Sequence, residues 1–111
     1  MKYARLYASP DGQSHFEDVQ LKLDSPHSDV KKASQMSFRN MDVGFDAPWH
    51  VISRRVFVTF LEGELELTAS DGEKRTFHPG DLLLIEDTTG KGHYGHNPGK
   101  ITTRSLWVAL E

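Results

Sequence analysis

Residues 55–86 read RVFVTFLEGELELTASDGEKRTFHPGDLLLIE, and their pattern decides the fold class. Arg55 to Leu61 carries β-branched and aromatic residues on both parities, which predicts a strand covered on two sides. Gly63 interrupts it. Glu64 to Thr68 then alternates strictly, with Leu65 and Leu67 facing in and Glu64, Glu66 and Thr68 facing out. Asp71-Gly72 predicts a two-residue hairpin, because a type I′ turn needs the positive φ that these residues tolerate. Lys74 to Phe77 returns, Pro79-Gly80 has the residues of a type II turn, and Leu82 to Glu86 reads as a further buried strand.

Outward from this stretch, Ile101 to Leu110 forms a last strand after a Gly-rich run from Thr88 to Gly99. Upstream, Phe16 to Leu23 alternates weakly, Gln35 to Met41 reads as another strand, and Asp24 to Lys32 as an exposed loop. No window holds apolar residues at helical spacing over more than two turns. Roughly seven to nine short strands with regular turn signals predict an all-β, antiparallel sandwich or barrel.

The composition narrows the function classes. At 111 residues the chain is one domain, with 37% hydrophobic and 26% charged residues, so its core is thin. Thirteen Lys and Arg against sixteen Asp and Glu give a net charge of -3, and no basic block stands out, so nucleic acid is not the expected partner. No cysteine is present, which removes disulfides, thiolate metal sites and cysteine nucleophiles together. No apolar run matches a signal peptide or a membrane span, so a cytoplasmic location away from membranes is expected.

The run VFVTFLEGELELTASDGEKRTFHPGDLLLIEDTTGKGH is similar to the cupin superfamily, and most to the short, single-domain bacterial members that carry EDTTGKGH. The resemblance covers roughly Trp49 to Asn97, and LEGELEL, the DGE hairpin and PGDLLLIE are its most specific parts. It implies a jelly-roll barrel (an antiparallel double-stranded β-helix) over residues 1–111, with N-terminal strands in 1–48 and the cupin core in about 49–110. It also implies a divalent metal held by two His and a Glu of motif G-x5-H-x-H-x3,4-E-x6-G and one His of G-x5-P-x-G-x2-H-x3-N. With Gly63 closing the first motif, His50 falls on its first His, but Ile52 and Val56 fall on the second His and the Glu. In the second, Gly80 opens the motif, Glu86 stands in place of Pro, and His93 arrives two residues late with Asn97 at the correct offset.

Two candidate ligands, His50 and His93, therefore remain, and tight binding of a divalent ion needs a third donor. Glu86, His96 and His15 are the residues that offer one, although His96 lies three residues after His93 and faces the other way on a strand. The expected cofactor is none, or a divalent metal on His50 and His93. The resemblance implies, without metal, an isomerase or lyase or a non-catalytic binding or sensing domain, and, with metal, an oxygenase. His50 and His93 suit a base working near neutral pH, and Arg39, Arg54 or Arg55 suits an anion clamp. Parity from His50 places Ile52, Arg54, Val56, Val58 and Phe60 inward, while a bulge after Ser53 would exchange Arg54 for Arg55.

Glu86 and Asp87 read either as half-buried carboxylates or as the start of a loop, with the loop the more common outcome. Glu86 is retained as a catalytic candidate. Thr88 to Gly92 could contact an anion through backbone N–H groups, but it lacks the spacing of a P-loop. Trp49 is expected in the core, His15, His27 and His78 in solvent, and no nucleophile elbow is visible. A small-molecule ligand or substrate is the expected partner. Exposed edge strands lead to an expected homodimer.

Overall fold

The structure is a computed structural model that describes residues 1–23, 26 and 30–111. The reading of His27 lies outside the described residues, as does most of the loop from Asp24 to Lys32.

Ten strands follow one another: β1 Lys2–Ala8, β2 Ser14–Gln20, β3 Ala33–Met41, β4 Asp46–His50, β5 Val56–Glu62, β6 Leu65–Ala69, β7 Lys74–Phe77, β8 Leu82–Ile85, β9 His93–His96 and β10 Thr103–Leu110. They form a six-stranded sheet in the order β2-β1-β8-β5-β10-β3 and a four-stranded sheet in the order β4-β9-β6-β7. This is the all-β jelly roll expected from the sequence. One pairing departs from antiparallel: β1 runs parallel to β8, with Ala4 opposite Leu83 and Leu6 opposite Ile85. Among the described residues no helix is long and apolar enough to cross a membrane.

The core lies between the sheets, where strands contribute alternate residues: Leu6 from β1, Val58 and Phe60 from β5, Leu65 and Leu67 from β6, Leu83 and Ile85 from β8, and Trp107 from β10. Phe60 stacks on Phe77 with ring centroids 5.4 Å apart, and Phe16 lies 6.2 Å from Phe77. Burying one such ring contributes about 1.5–3 kcal/mol. β5 is covered more thinly than its sequence suggests. Val56, Val58 and Phe60 are buried, while Phe57 and Thr59 on the outer face are half-buried.

Turn chemistry explains the connections. At Pro79-Gly80 the Asp81 N–H donates to the His78 carbonyl at 3.0 Å, and Gly80 has φ 92°, as a type II turn requires. The hairpin at Asp71-Gly72 is one residue longer than predicted. Gly72 N–H donates to the Ala69 carbonyl and Ala69 N–H to the Glu73 carbonyl, so Ser70 to Gly72 form a three-residue loop with Gly72 at φ 99°.

Two strands give weak sequence signals. β1 carries Tyr3, Arg5 and Tyr7 on its outer side, which blurs alternation. β4 contains Pro48, which is admitted because β4 is an edge strand with a register shift between Ala47 and His50. β9 lies within the Gly-rich run from Thr88 to Gly99, where the sequence shows no clear strand pattern. The other sheet's edge, β3, is exposed along its length up to Met41, and the expectation of a homodimer rests on edges of this kind.

Candidate functional site

An interior cavity of about 90 Å³ lies between the sheets, walled mainly by aliphatic and aromatic side chains such as Val58, Phe60, Leu67 and Trp107. Three of its lining residues carry basic nitrogen groups: Arg39, His50 and His93. The two histidines sit opposite each other on the paired strands β4 and β9, and their ring centroids are 4.5 Å apart. The structure thus brings together His50, His93 and Arg39 from three strands of both sheets.

The bulge at Pro48 orients His50. It frees the Pro48 carbonyl from the ladder, and His50 Nδ1 donates to that oxygen at 2.7 Å. A carbonyl can only accept, so Nδ1 holds the proton and a neutral His50 ring has its lone pair on Nε2. His50 is exposed at the cavity mouth.

His93 is buried, at 3% exposure, and its Nδ1 lies 2.6 Å from Oδ2 of Asp87, which is completely buried. A carboxylate partner on Nδ1 places the proton there and leaves Nε2 as the basic nitrogen. Asp87 was not among the sequence candidates. The sign for it was present, since Leu83, Ile85 and Asp87 share one parity and the alternation of β8 carries Asp87 inward. Its second oxygen, Oδ1, is buried and meets no donor among the described residues. Asn97, at its motif offset from His93, is structural: its amide donates to the carbonyls of Met41 and Ile101 at 2.9 and 3.1 Å.

Arg39 lies flat on Trp107, with the guanidinium carbon 3.8 Å from the ring centroid. Burial lowers its pKa from the ordinary arginine value, and the group stays cationic. Among the described residues it has no carboxylate partner.

Two sequence candidates are not at the cavity. Glu86 follows Ile85 and so points to the outer face. There it accepts hydrogen bonds from Arg55, at 2.8 Å, and from Arg5. Burial raises the Glu86 pKa, but the bonds and charges of Arg55 and Arg5 outweigh it and hold the carboxyl below its ordinary value. Both Arg55 and Glu86 are thus committed to an ion-pair network, and Arg55 does not turn into the cavity.

The remaining expectations divide. His96 points outward, as parity predicts, near Asp46 and the Phe45 carbonyl. His15 is on the surface between Ser9 and Asp71, and His78 is exposed. Trp49 is 51% exposed, not in the core, and packs against Tyr94. Its position on an edge strand, opposite in parity to His50, turns it out. In the loop Thr88 to Gly92 two backbone N–H groups are engaged within the protein: Lys91 N–H donates to the Gly12 carbonyl at 2.8 Å and Thr88 N–H to the Glu86 carbonyl.

The donor set does not fit a tightly held divalent metal. Ile52 and Val56 replace two of the ligands the resemblance implies, Glu86 is engaged outside, and no cluster of three His, Cys, Asp or Glu occurs among the described residues. Two imidazoles fall short of the three or more protein groups that such sites use.

Comparison with known proteins places this geometry in context. Residues 37–109 match the family model described as "Cupin domain". A curated relative, "Oryzines biosynthesis cluster protein J" of Aspergillus oryzae, is 36% identical over 69 residues, covering 61% of this chain and 37% of that protein. The chain therefore spans little more than a third of that relative's length. A cupin superfamily protein from Desulfitobacterium hafniense superposes with TM-score 0.56 at 19% identity, over 79% of this chain and 83% of the other. A cupin domain from Bordetella pertussis gives 0.55 at 18%, over 68% and 79%. An oxalate oxidase in complex with glycolate gives 0.54 at 20%, over 68% and 41%. At these identities the solved structures share the fold alone.

Proposed function

The chain belongs to the cupin domain family, and from that premise we propose that it binds a small molecule and moves a proton on it through His93, as an isomerase or lyase would. The buried Asp87–His93 pair carries this reading. A carboxylate on Nδ1 fixes the ring's tautomer and stabilises the imidazolium that forms when Nε2 takes a proton. His50, with its own Nε2 left free and its ring beside His93, is placed to return or relay that proton at the mouth. Arg39 offers a fixed positive charge to an enolate or carboxylate. The apolar walls lower the local dielectric, which strengthens each of these interactions.

The unpaired Oδ1 of Asp87 adds support. Burying a polar atom without a partner costs about 1–3 kcal/mol, and such an atom in a folded protein calls for an explanation, a catalytic role among them.

The test is deuterium wash-in. Incubated in D2O with 2-oxobutanoate or butanone, which have carbonyl-acidified C–H bonds and fit a small cavity, the protein is expected to speed exchange at the carbon beside the carbonyl. His93→Ala is expected to slow that exchange by roughly 10²–10⁴-fold, the range of general acid–base catalysis. Exchange at the buffer rate with both probes, or an unchanged rate in His93→Ala, overturns the reading. A cavity that only binds would lose affinity in His93→Ala and show no exchange at all.

A further inference from the structure

A second recess of about 70 Å³ adjoins the cavity and shares Arg39 and Trp107 with it as wall residues. Its remaining lining mixes polar and apolar side chains: Gln35 and Ser37 from the inner face of β3 and Ser53 and Arg54 from the segment before β5 supply the polar groups, beside Ile52, Val56 and Ala109. The arginines of the chain sort cleanly. Arg5 pairs with Glu17 and Glu86, Arg55 with Glu86, Arg75 with Asp18 and Glu73, and Arg104 with Glu62. Arg39 and Arg54 have no carboxylate partner among the described residues, and Arg54 donates only to the Ser34 hydroxyl, at 3.2 Å. The two arginines without a counter-charge are the two that line this recess.

We infer that the recess is an oxyanion subsite, so that the ligand is a small acid whose carboxylate or phosphate head lies between Arg39 and Arg54 while its compact, less polar end reaches His50 and His93. Two guanidinium forks supply paired, charge-assisted donors, and Gln35, Ser37 and Ser53 supply further hydrogen bonds to the remaining lone pairs. The stack of Arg39 on Trp107 fixes one fork at the boundary of the two spaces, so a head held there points its tail inward. The inner cavity, of about 90 Å³, admits a tail of only a few heavy atoms. This inference rests on the proton-transfer reading only for what happens at the inner end.

The experiment measures binding of butanoate, propyl phosphate and the neutral butanamide by titration calorimetry, at low salt so that screening does not mask the charge. Butanoate or propyl phosphate is expected to bind at least tenfold more tightly than butanamide, and the tighter of the two acids identifies the head group. Arg54→Gln and Arg39→Gln are each expected to weaken the acid about tenfold or more. Arg55→Gln, whose parent side chain is paired with Glu86, is expected to leave affinity within twofold. Circular dichroism melting verifies that each variant is folded.

Butanamide binding as tightly as the acids, or full affinity in both folded Arg39→Gln and Arg54→Gln, overturns the subsite. The two readings fail separately. Acids that bind through Arg39 and Arg54 while no oxo compound exchanges deuterium support the subsite and sink proton transfer. Butanone exchanging as fast as 2-oxobutanoate upholds proton transfer and overturns the subsite.

Discussion

Replacing Gly92 with alanine is expected to lower the stability of the fold by about 2–5 kcal/mol, the sum of a strained left-handed backbone and an overpacked contact. Gly92 has φ 76°, and a Cβ built on it would overlap the His50 carbonyl and come within 2.9 Å of Val51 N. These are backbone atoms on both sides, so neither can swing aside. The Gly92 carbonyl is also held, accepting the buried Ser14 hydroxyl at 2.7 Å. Because the strand that must move carries His50, the same substitution is expected to disorder the mouth of the cavity. For a domain of this size the loss corresponds to a fall in melting temperature of roughly 10–30 °C. Gly72 is the control, since its φ is 99° but nothing lies within 4 Å of a Cβ there. Gly72→Ala is expected to cost only the backbone strain, about 1–2 kcal/mol. Equal losses in the two variants would show that packing against His50 is not what Gly92 provides.

Asp87→Ala is the second large effect, and it separates structure from chemistry. Removing the carboxylate leaves the buried His93 Nδ1–H without an acceptor, which is expected to cost about 1.5–3 kcal/mol for a hydrogen bond to a charged group. It also releases the ring's tautomer. Proton exchange on 2-oxobutanoate is then expected to fall roughly 10²–10⁴-fold, comparable to the loss in His93→Ala. Asp87→Asn divides the two roles. Its amide oxygen still accepts the Nδ1 proton, so stability falls less than in Asp87→Ala, but without the negative charge an imidazolium at His93 is no longer stabilised. Chemical denaturation and the exchange rate are the two measurements. An Asp87→Asn variant with the wild-type exchange rate would reduce Asp87 to a packing residue.

The sequence displayed the barrel well because its central strands lie on one continuous pattern. Leu65 and Leu67 alternate against Glu64 and Glu66, and Pro79-Gly80 closes the turn that the structure contains. Local chemistry hid the rest. Pro48 disguises β4, yet the irregularity it brings is what turns its carbonyl toward His50. Gly90, Gly92 and Gly95 made β9 resemble a loop, when Gly92 is required by the close approach of the His50 backbone.

The candidate site was half legible. His50 and His93 emerged from the motif positions that the cupin resemblance supplies, and the structure brings their rings together. Asp87 was obscured because an acidic pair after an apolar run reads as a loop start, whereas strand parity divides the pair. Glu86 goes out to Arg55 and Arg5, and Asp87 goes in to His93. The choice between Arg54 and Arg55 was settled by a partner from elsewhere in the chain, Glu86 just past the end of β8, which a single segment cannot reveal.

The most direct measurement is the two-bond proton–nitrogen correlation spectrum of the histidine rings, recorded near pH 9 where free imidazoles are neutral. The account predicts that His50 and His93 both carry the proton on Nδ1, held by the Pro48 carbonyl and the Asp87 carboxylate, with both Nε2 atoms showing the shift of an unprotonated nitrogen. A proton on Nε2 of His93 would mean that Asp87 donates to the ring, that the basic nitrogen faces away from the cavity, and that the proposed proton transfer has no base.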